Sequence, residues 1–163
     1  NMGPAGTTLV VVKEEILGQV SRKIPSMLDY QVHISKDSMF NTPPVFAVYT
    51  SMLTLEWLKN LGGIAAIEEI NEKKARLLYS EIDLNPVFEG FANVEDRSLM
   101  NATFNLTDDV LKTTFESLLK EAGINGLNGH RSVGGYRASM YNALSLESVG
   151  VLVDVMSEME RRG

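Results

Sequence analysis

Cysteine is missing from the chain. That excludes a disulfide framework, a thiolate nucleophile and a cysteine zinc site. Histidine is nearly missing, with only His33 and His130, far apart. A histidine-rich metal centre therefore has no ligand set, and no metal is expected. Positive charge is scarce: 15 basic residues stand against 21 acidic ones, for a net charge of −6. This balance argues against a nucleic-acid binder or a basic membrane-surface domain. Long apolar runs are absent too. The uncharged stretch from Ser38 to Leu55 carries Asn41, Thr42, Pro43, Pro44, Thr50, Ser51 and Thr54, too polar for about 20 residues of lipid contact. The opening lacks the charged and apolar regions of a signal peptide. A chain without cysteine fits a reducing cytosol, so a cytoplasmic location is expected.

What is present is a folding sequence, 44% hydrophobic and 22% charged over 163 residues, about one domain's worth. Asn1 precedes Met2, so the chain is expected to continue a longer protein. Thr7 to Val12 (TTLVVV) reads as a strand buried on both faces. A lone strand has no sheet, and its neighbours are expected upstream. Residues 18–36 give no periodic signal and read as loop with short elements.

Asn41 and Thr42 are good helix caps, and Pro43 suits the first turn. Val45, Val48, Tyr49, Met52 and Leu55 follow as one apolar stripe, ended by Gly62-Gly63. A second helix is expected from about Ile64 to Ser80, with Ile64, Ile67 and Ile70 inside. Its wet face carries the pairs Glu69/Lys73 and Glu72/Arg76. Met100 to Leu106 alternates apolar and polar, as a half-buried strand does. Thr107 is expected to cap a helix buried through Leu111, Phe115, Leu118 and Ala122 and stopped by Gly123. Ile124 to Tyr141 reads as a glycine-rich strand region, and Ser145 caps a last helix with Leu146, Val149, Val153 and Met156 buried. The order from residue 63 is helix, strand, helix, strand, helix, an α/β unit with its own core.

Chemistry concentrates where acids are missing. Residues 122–146 contain no Asp or Glu, although acids number 21 in the chain, and GHRSVGGYR lies inside. Arginine forks match carboxylate and phosphate oxygens, and the glycines let a ligand approach the backbone. His130, Arg131 and Arg137 are therefore candidates for a small-anion site; a solvated strand edge with a glycine turn accounts for the same residues. If Tyr136, Ala138 and Met140 face the core, Arg137 and Ser139 face away from it. Asn41-Thr42 at a helix start can hold a phosphate, but taken by themselves these residues are better explained by ordinary capping. His33 reads as structural, and Tyr49, Trp57 and the methionines as core.

The blocks NMGPAGTTLVVV, DSMFNTPPVFAVY and GHRSVGGYRASMYNA resemble, in order and spacing, the phosphoserine aminotransferase family, over essentially all 163 residues. The resemblance implies an α/β fold of the aspartate-aminotransferase type. Residues 1–62 would be the end of the large pyridoxal-phosphate domain with its connecting helix, and 63–163 the small C-terminal domain. It implies a cytoplasmic homodimer with shared active sites. Such enzymes exchange an amino group between glutamate and 3-phosphohydroxypyruvate, giving O-phosphoserine and 2-oxoglutarate in serine biosynthesis. In many bacteria a phosphorylated threonine analogue is also made for vitamin B6.

By the same resemblance, Asn41 and Thr42 bind the phosphate of pyridoxal 5'-phosphate in the neighbouring subunit. Arg137 takes the substrate α-carboxylate, and His130 with Arg131 receives the substrate phosphate or the glutamate side chain. The family's Schiff-base lysine immediately precedes the N-x-G-P-A-G segment, so it is expected just before Asn1, and the chain itself holds no catalytic residue. Two other functions fit the residues: another fold-type-I aminotransferase for acidic substrates, and a non-enzymatic anion-binding or regulatory domain.

Overall fold

A computed structural model describes residues 1–132 and 134–162, and its core is built on a helix with a polar surprise. Helix α3 (Gly63–Leu84) buries Ile67, Asn71, Lys74, Ala75, Leu78 and Ile82 along one face. That spacing of threes and fours is the period of a helix packed on one side. Its wet face carries the Lys73–Glu69 and Arg76–Glu72 pairs as expected. Ile64 was expected inside and is 77% exposed. It sits in the first turn on the same face as Ile67 and Asn71, where that face is no longer covered.

After α3, strands β1 (Phe88–Gly90), β2 (Asn101–Leu106) and β3 (Tyr136–Ser139) form an antiparallel sheet in the order β1-β2-β3. Helices α4 (Lys112–Glu121) and α5 (Leu146–Arg162) complete this unit. Alternation along β2 buries Ala102 and Phe104, as the sequence pattern requires. Phe88, Phe104, Phe115 and Tyr136 meet at ring-centroid distances of 5.1–5.8 Å and anchor the core. Ser145 caps α5 by accepting from Ser148 N at 3.2 Å, and Val149 and Met156 are buried with Leu152, Val155 and Met159.

Several expectations are corrected. Thr107 does not cap a helix. Its hydroxyl donates to the carbonyls of Pro86 and Val87, and Asp108 accepts from Val110 N at a short 3-10 turn ahead of α4. Among the described residues, the strand region expected over Ile124–Tyr141 shrinks to β3 and an isolated bridge between Asn128 and Tyr136, because its glycines adopt turns: Gly126, Gly134 and Gly135 all have positive φ. β1 was missed in the sequence, being too short for alternation to show.

Met2–Asn60 forms a separate unit from Leu61 onward, with which Asn1 clusters. It contains a short α1 (Tyr30–Ile34) and the long α2 (Val45–Asn60). Thr7 to Val12 lies outside any sheet, with Leu9 and Val11 exposed. A strand exists only where another strand pairs with it, and none does so among the described residues. Likewise the stripe Val45, Val48, Tyr49, Met52 and Leu55 is exposed, as is Trp57, and Ala47 is the buried residue of α2. Tyr49 and Trp57, at 56% and 41% exposure, are thus not core residues here. Among the described residues, no helix is long and apolar enough to cross a membrane.

Candidate functional site

β3 presents its residues alternately, with Tyr136, Ala138 and Met140 buried and Arg137 exposed on the opposite face. The expected orientation of Arg137 is therefore found. It stands opposite Thr103 of β2 and opens into a cleft of about 390 Å³. The cleft is lined by the Ala122–Leu127 segment, by Ser139, Met140 and Leu144, and by Ser148 to Leu152 of α5. Arg137 is the one charged side chain among the described residues lining it. Acid depletion of the sequence window is thus a property of a surface: a carboxylate entering here meets a guanidinium and no competing carboxylate.

An aromatic stack anchors the opposite face of the strand that carries Arg137. The Tyr136 ring lies parallel to Phe104 at 5.5 Å and edge-on to Phe115 at 5.1 Å. Burial pushes the Tyr136 hydroxyl up to about 12, so it stays neutral.

His130 and Arg131 sit elsewhere. Arg137 N donates to Leu127 O and Gly129 N to Gly135 O, so the chain doubles back on itself. Gly134 N closes the tip by donating to His130 O at 2.8 Å. His130 and Arg131 ride exposed on this tip, outside the Arg137 cleft, and His130 Nδ1 is 2.7 Å from Ser132 Oγ. Val133 lies outside the described residues. A tip this tight needs glycine. Gly135 has φ +63, and a Cβ there would meet the Asn105 side chain and lie 2.9 Å from Phe104 O. Gly135→Ala should therefore destabilise by roughly 2 kcal/mol or more, read as a lowered thermal midpoint. A midpoint unchanged within a degree would show that the tip does not need this geometry.

Asn41 and Thr42 lie in the other unit. Helix α2 begins at Val45, two residues later than expected from Pro43, and Val48 N bonds Pro44 O. Two successive prolines explain the delay, since a residue before proline is pushed out of the helical region. Asn41 and Thr42 are exposed, and Asn41 Nδ2 donates weakly to Thr42 O at 3.3 Å. Among the described residues the first-turn N–H groups of Val45, Phe46 and Ala47 have no acceptor. Together with the Thr42 hydroxyl they can donate to a phosphate.

One polar residue of the site's surroundings was overlooked. Lys74 is fully buried and its ammonium donates to Met140 O, Tyr141 O and Leu144 O, where the cleft wall turns. Burial lowers its proton affinity below that of an ordinary lysine. The signal was in the sequence: a lysine at a core position of the Ile67–Leu78 stripe.

The aminotransferase class-V family model matches residues 1–152. The chain belongs to the aminotransferase class-V family. This class-V chain is 68% identical over 162 residues to the phosphoserine aminotransferase of Flavobacterium psychrophilum, covering 99% of the chain and 46% of that relative. A solved phosphoserine aminotransferase with a radiation-damaged Schiff base superposes with a TM-score of 0.91 at 44% identity, over 100% of this chain and 46% of that one. A pyridoxal-phosphate-bound phosphoserine aminotransferase from Trichomonas vaginalis gives 0.75 at 36% identity, over 85% of this chain and 40% of that one. The chain thus spans about half the length of the proteins it matches. The fold is that of the α/β aminotransferases, and pyridoxal 5'-phosphate is the cofactor the family implies. The donors around Thr42 and the start of α2 fit its phosphate end.

Proposed function

We propose that the full-length protein is a phosphoserine aminotransferase, exchanging an amino group between glutamate and 3-phosphohydroxypyruvate. The observation that carries this reading is the acid-free cleft in which Arg137 is the one charged side chain among the described residues. Its planar fork suits the α-carboxylate common to all four substrates and products. His130 and Arg131, on the separate hairpin tip, take the distal phosphate or the glutamate side-chain carboxylate. Two anion sites on one β-hairpin suit substrates with an anionic group at each end. Asn41 and Thr42, with the N–H groups of α2, would hold the phosphate of pyridoxal 5'-phosphate in the neighbouring subunit of a homodimer. When bound, the cofactor supplies the electron sink for amino-group transfer, and the protein supplies orientation and charge. The covalent lysine belongs immediately before Asn1. Serine biosynthesis in the cytoplasm follows, with the vitamin B6 reaction as a second use of the same two anion sites.

Arg131 separates this reading from an aminotransferase for other acidic substrates. In the full-length enzyme, Arg131→Ala should weaken phosphorylated substrates about 10- to 100-fold, the worth of one charged hydrogen bond. Unphosphorylated analogues such as serine or alanine should lose far less. Steady-state kinetics over that panel decide it, and an equal loss for every member would remove Arg131 from the substrate and the phosphate from the reading.

A further inference from the structure

Lys74 has a chemistry that packing alone does not ask for. It is fully buried, it forms no ion pair among the described residues, and its three ammonium donors meet three carbonyls: Met140 at 3.2 Å, Tyr141 at 2.9 Å and Leu144 at 3.0 Å. Burying a charge costs several kcal/mol in general, and an apolar side chain of similar length would fill the same space at less cost. What an apolar side chain cannot do is hold three carbonyls at one point.

Those carbonyls belong to the turn that leaves β3. Met140 and Leu144 also line the Arg137 cleft, so the ammonium grips the wall from behind. The same turn is pinned from three other directions. Asn71, one turn earlier on α3, donates to Asn142 Oδ1 at 2.9 Å; Asn142 N donates to Asn1 Oδ1 at 3.0 Å; and Met140 N donates to Met100 O at 2.7 Å. Arg137 is three residues upstream of Met140 on a strand only four residues long. A shift of the turn is therefore transmitted to the strand that carries the guanidinium.

We propose that Lys74 is a positioning residue for the anion cleft: by gathering the carbonyls of Met140, Tyr141 and Leu144 it fixes the end of β3 and so the placement of Arg137 for a carboxylate. The inference rests on the reading of Arg137 as the carboxylate clamp. It is tested in the full-length enzyme with Lys74→Met, Lys74→Gln, Arg137→Ala and the double variant Lys74→Met/Arg137→Ala. Lys74→Met and Lys74→Gln should raise KM for donor and acceptor about 10-fold while changing kcat less than about threefold, because what is lost is ground-state alignment. In the Arg137→Ala background the Lys74→Met change should add less than about twofold, since coupled residues are not additive. A KM increase of the same factor with or without Arg137 would overturn the proposal, as would unchanged KM in folded variants. Failure of both Lys74 variants to fold would make the residue one of stability alone and overturn it equally. If Arg137→Ala itself left KM unchanged, the clamp reading would fall and this inference with it. If only the Lys74 variants were silent, the clamp would stand.

Discussion

Arg137→Ala in the full-length enzyme should raise the Michaelis constants for amino donor and amino acceptor alike by roughly 30- to 1,000-fold, equivalent to about 2–4 kcal/mol. The size follows from the surroundings. The side chain stands in a cleft where no other charged group among the described residues can take over. A carboxylate that loses the guanidinium there is left with neutral donors: the hydroxyls of Ser139 and Ser148, the Asn125 amide and backbone groups. On the aminotransferase reading proposed above, both substrates suffer because both carry the α-carboxylate, in contrast to the distal-group selectivity expected at Arg131. The fold should survive, since Arg137 is exposed and its ring neighbours lie on the other face of the sheet. Arg137→Lys should recover part of the loss through its charge but not through the fork. Unchanged KM for both substrates, with near-native thermal stability, would remove Arg137 from the substrate.

Unequal legibility of this sequence has a physical cause. Three segments of the sheet unit fold as their patterns require. Met100–Leu106 alternates and is β2; Ser145 caps α5; Gly123 takes φ +73 and ends the helix before it. The outward face of Arg137 followed from the two-residue period once Tyr136 and Met140 were assigned to the core. Where no partner packs on a segment among the described residues, the same reasoning failed. TTLVVV has the composition of a buried strand, and in this chain Val11 is 89% exposed. The α2 stripe is likewise left largely exposed, with Ala47 the buried residue of that helix. Hydrophobic pattern specifies that a face is to be buried, not by what. Lys74 escaped for the opposite reason. A periodicity argument scores a lysine as surface, and only the three carbonyls converging on its ammonium show why a core position holds a cation.

Phe104→Ala is expected to be the most destabilising single change in the sheet unit, by about 3–5 kcal/mol. Phe104 is fully buried at the middle of the sheet, opposite Tyr136 in register. It contacts Phe88 edge-on at 5.8 Å and Tyr136 face-to-face at 5.5 Å. Truncation removes the ring shared by two aromatic pairs, and the remaining rings cannot close the gap, because Phe88 and Tyr136 are fixed on the strands to either side of β2. The cavity cost therefore adds to the lost burial. In the full-length protein this should appear as hydrogen-exchange protection lost from the Asn101–Leu106 and Tyr136–Ser139 amides by a factor of about 100 or more. Phe104→Leu, which keeps most of the volume, should cost less than half as much. The functional consequence is ordered behind the structural one: with the Tyr136 ring unsupported, the strand bearing Arg137 loosens, and KM should rise for both substrates. Protection at β2 and β3 that survived Phe104→Ala would mean that the sheet is held chiefly by α3 and α5, and that the aromatic stack is not what keeps Arg137 in place.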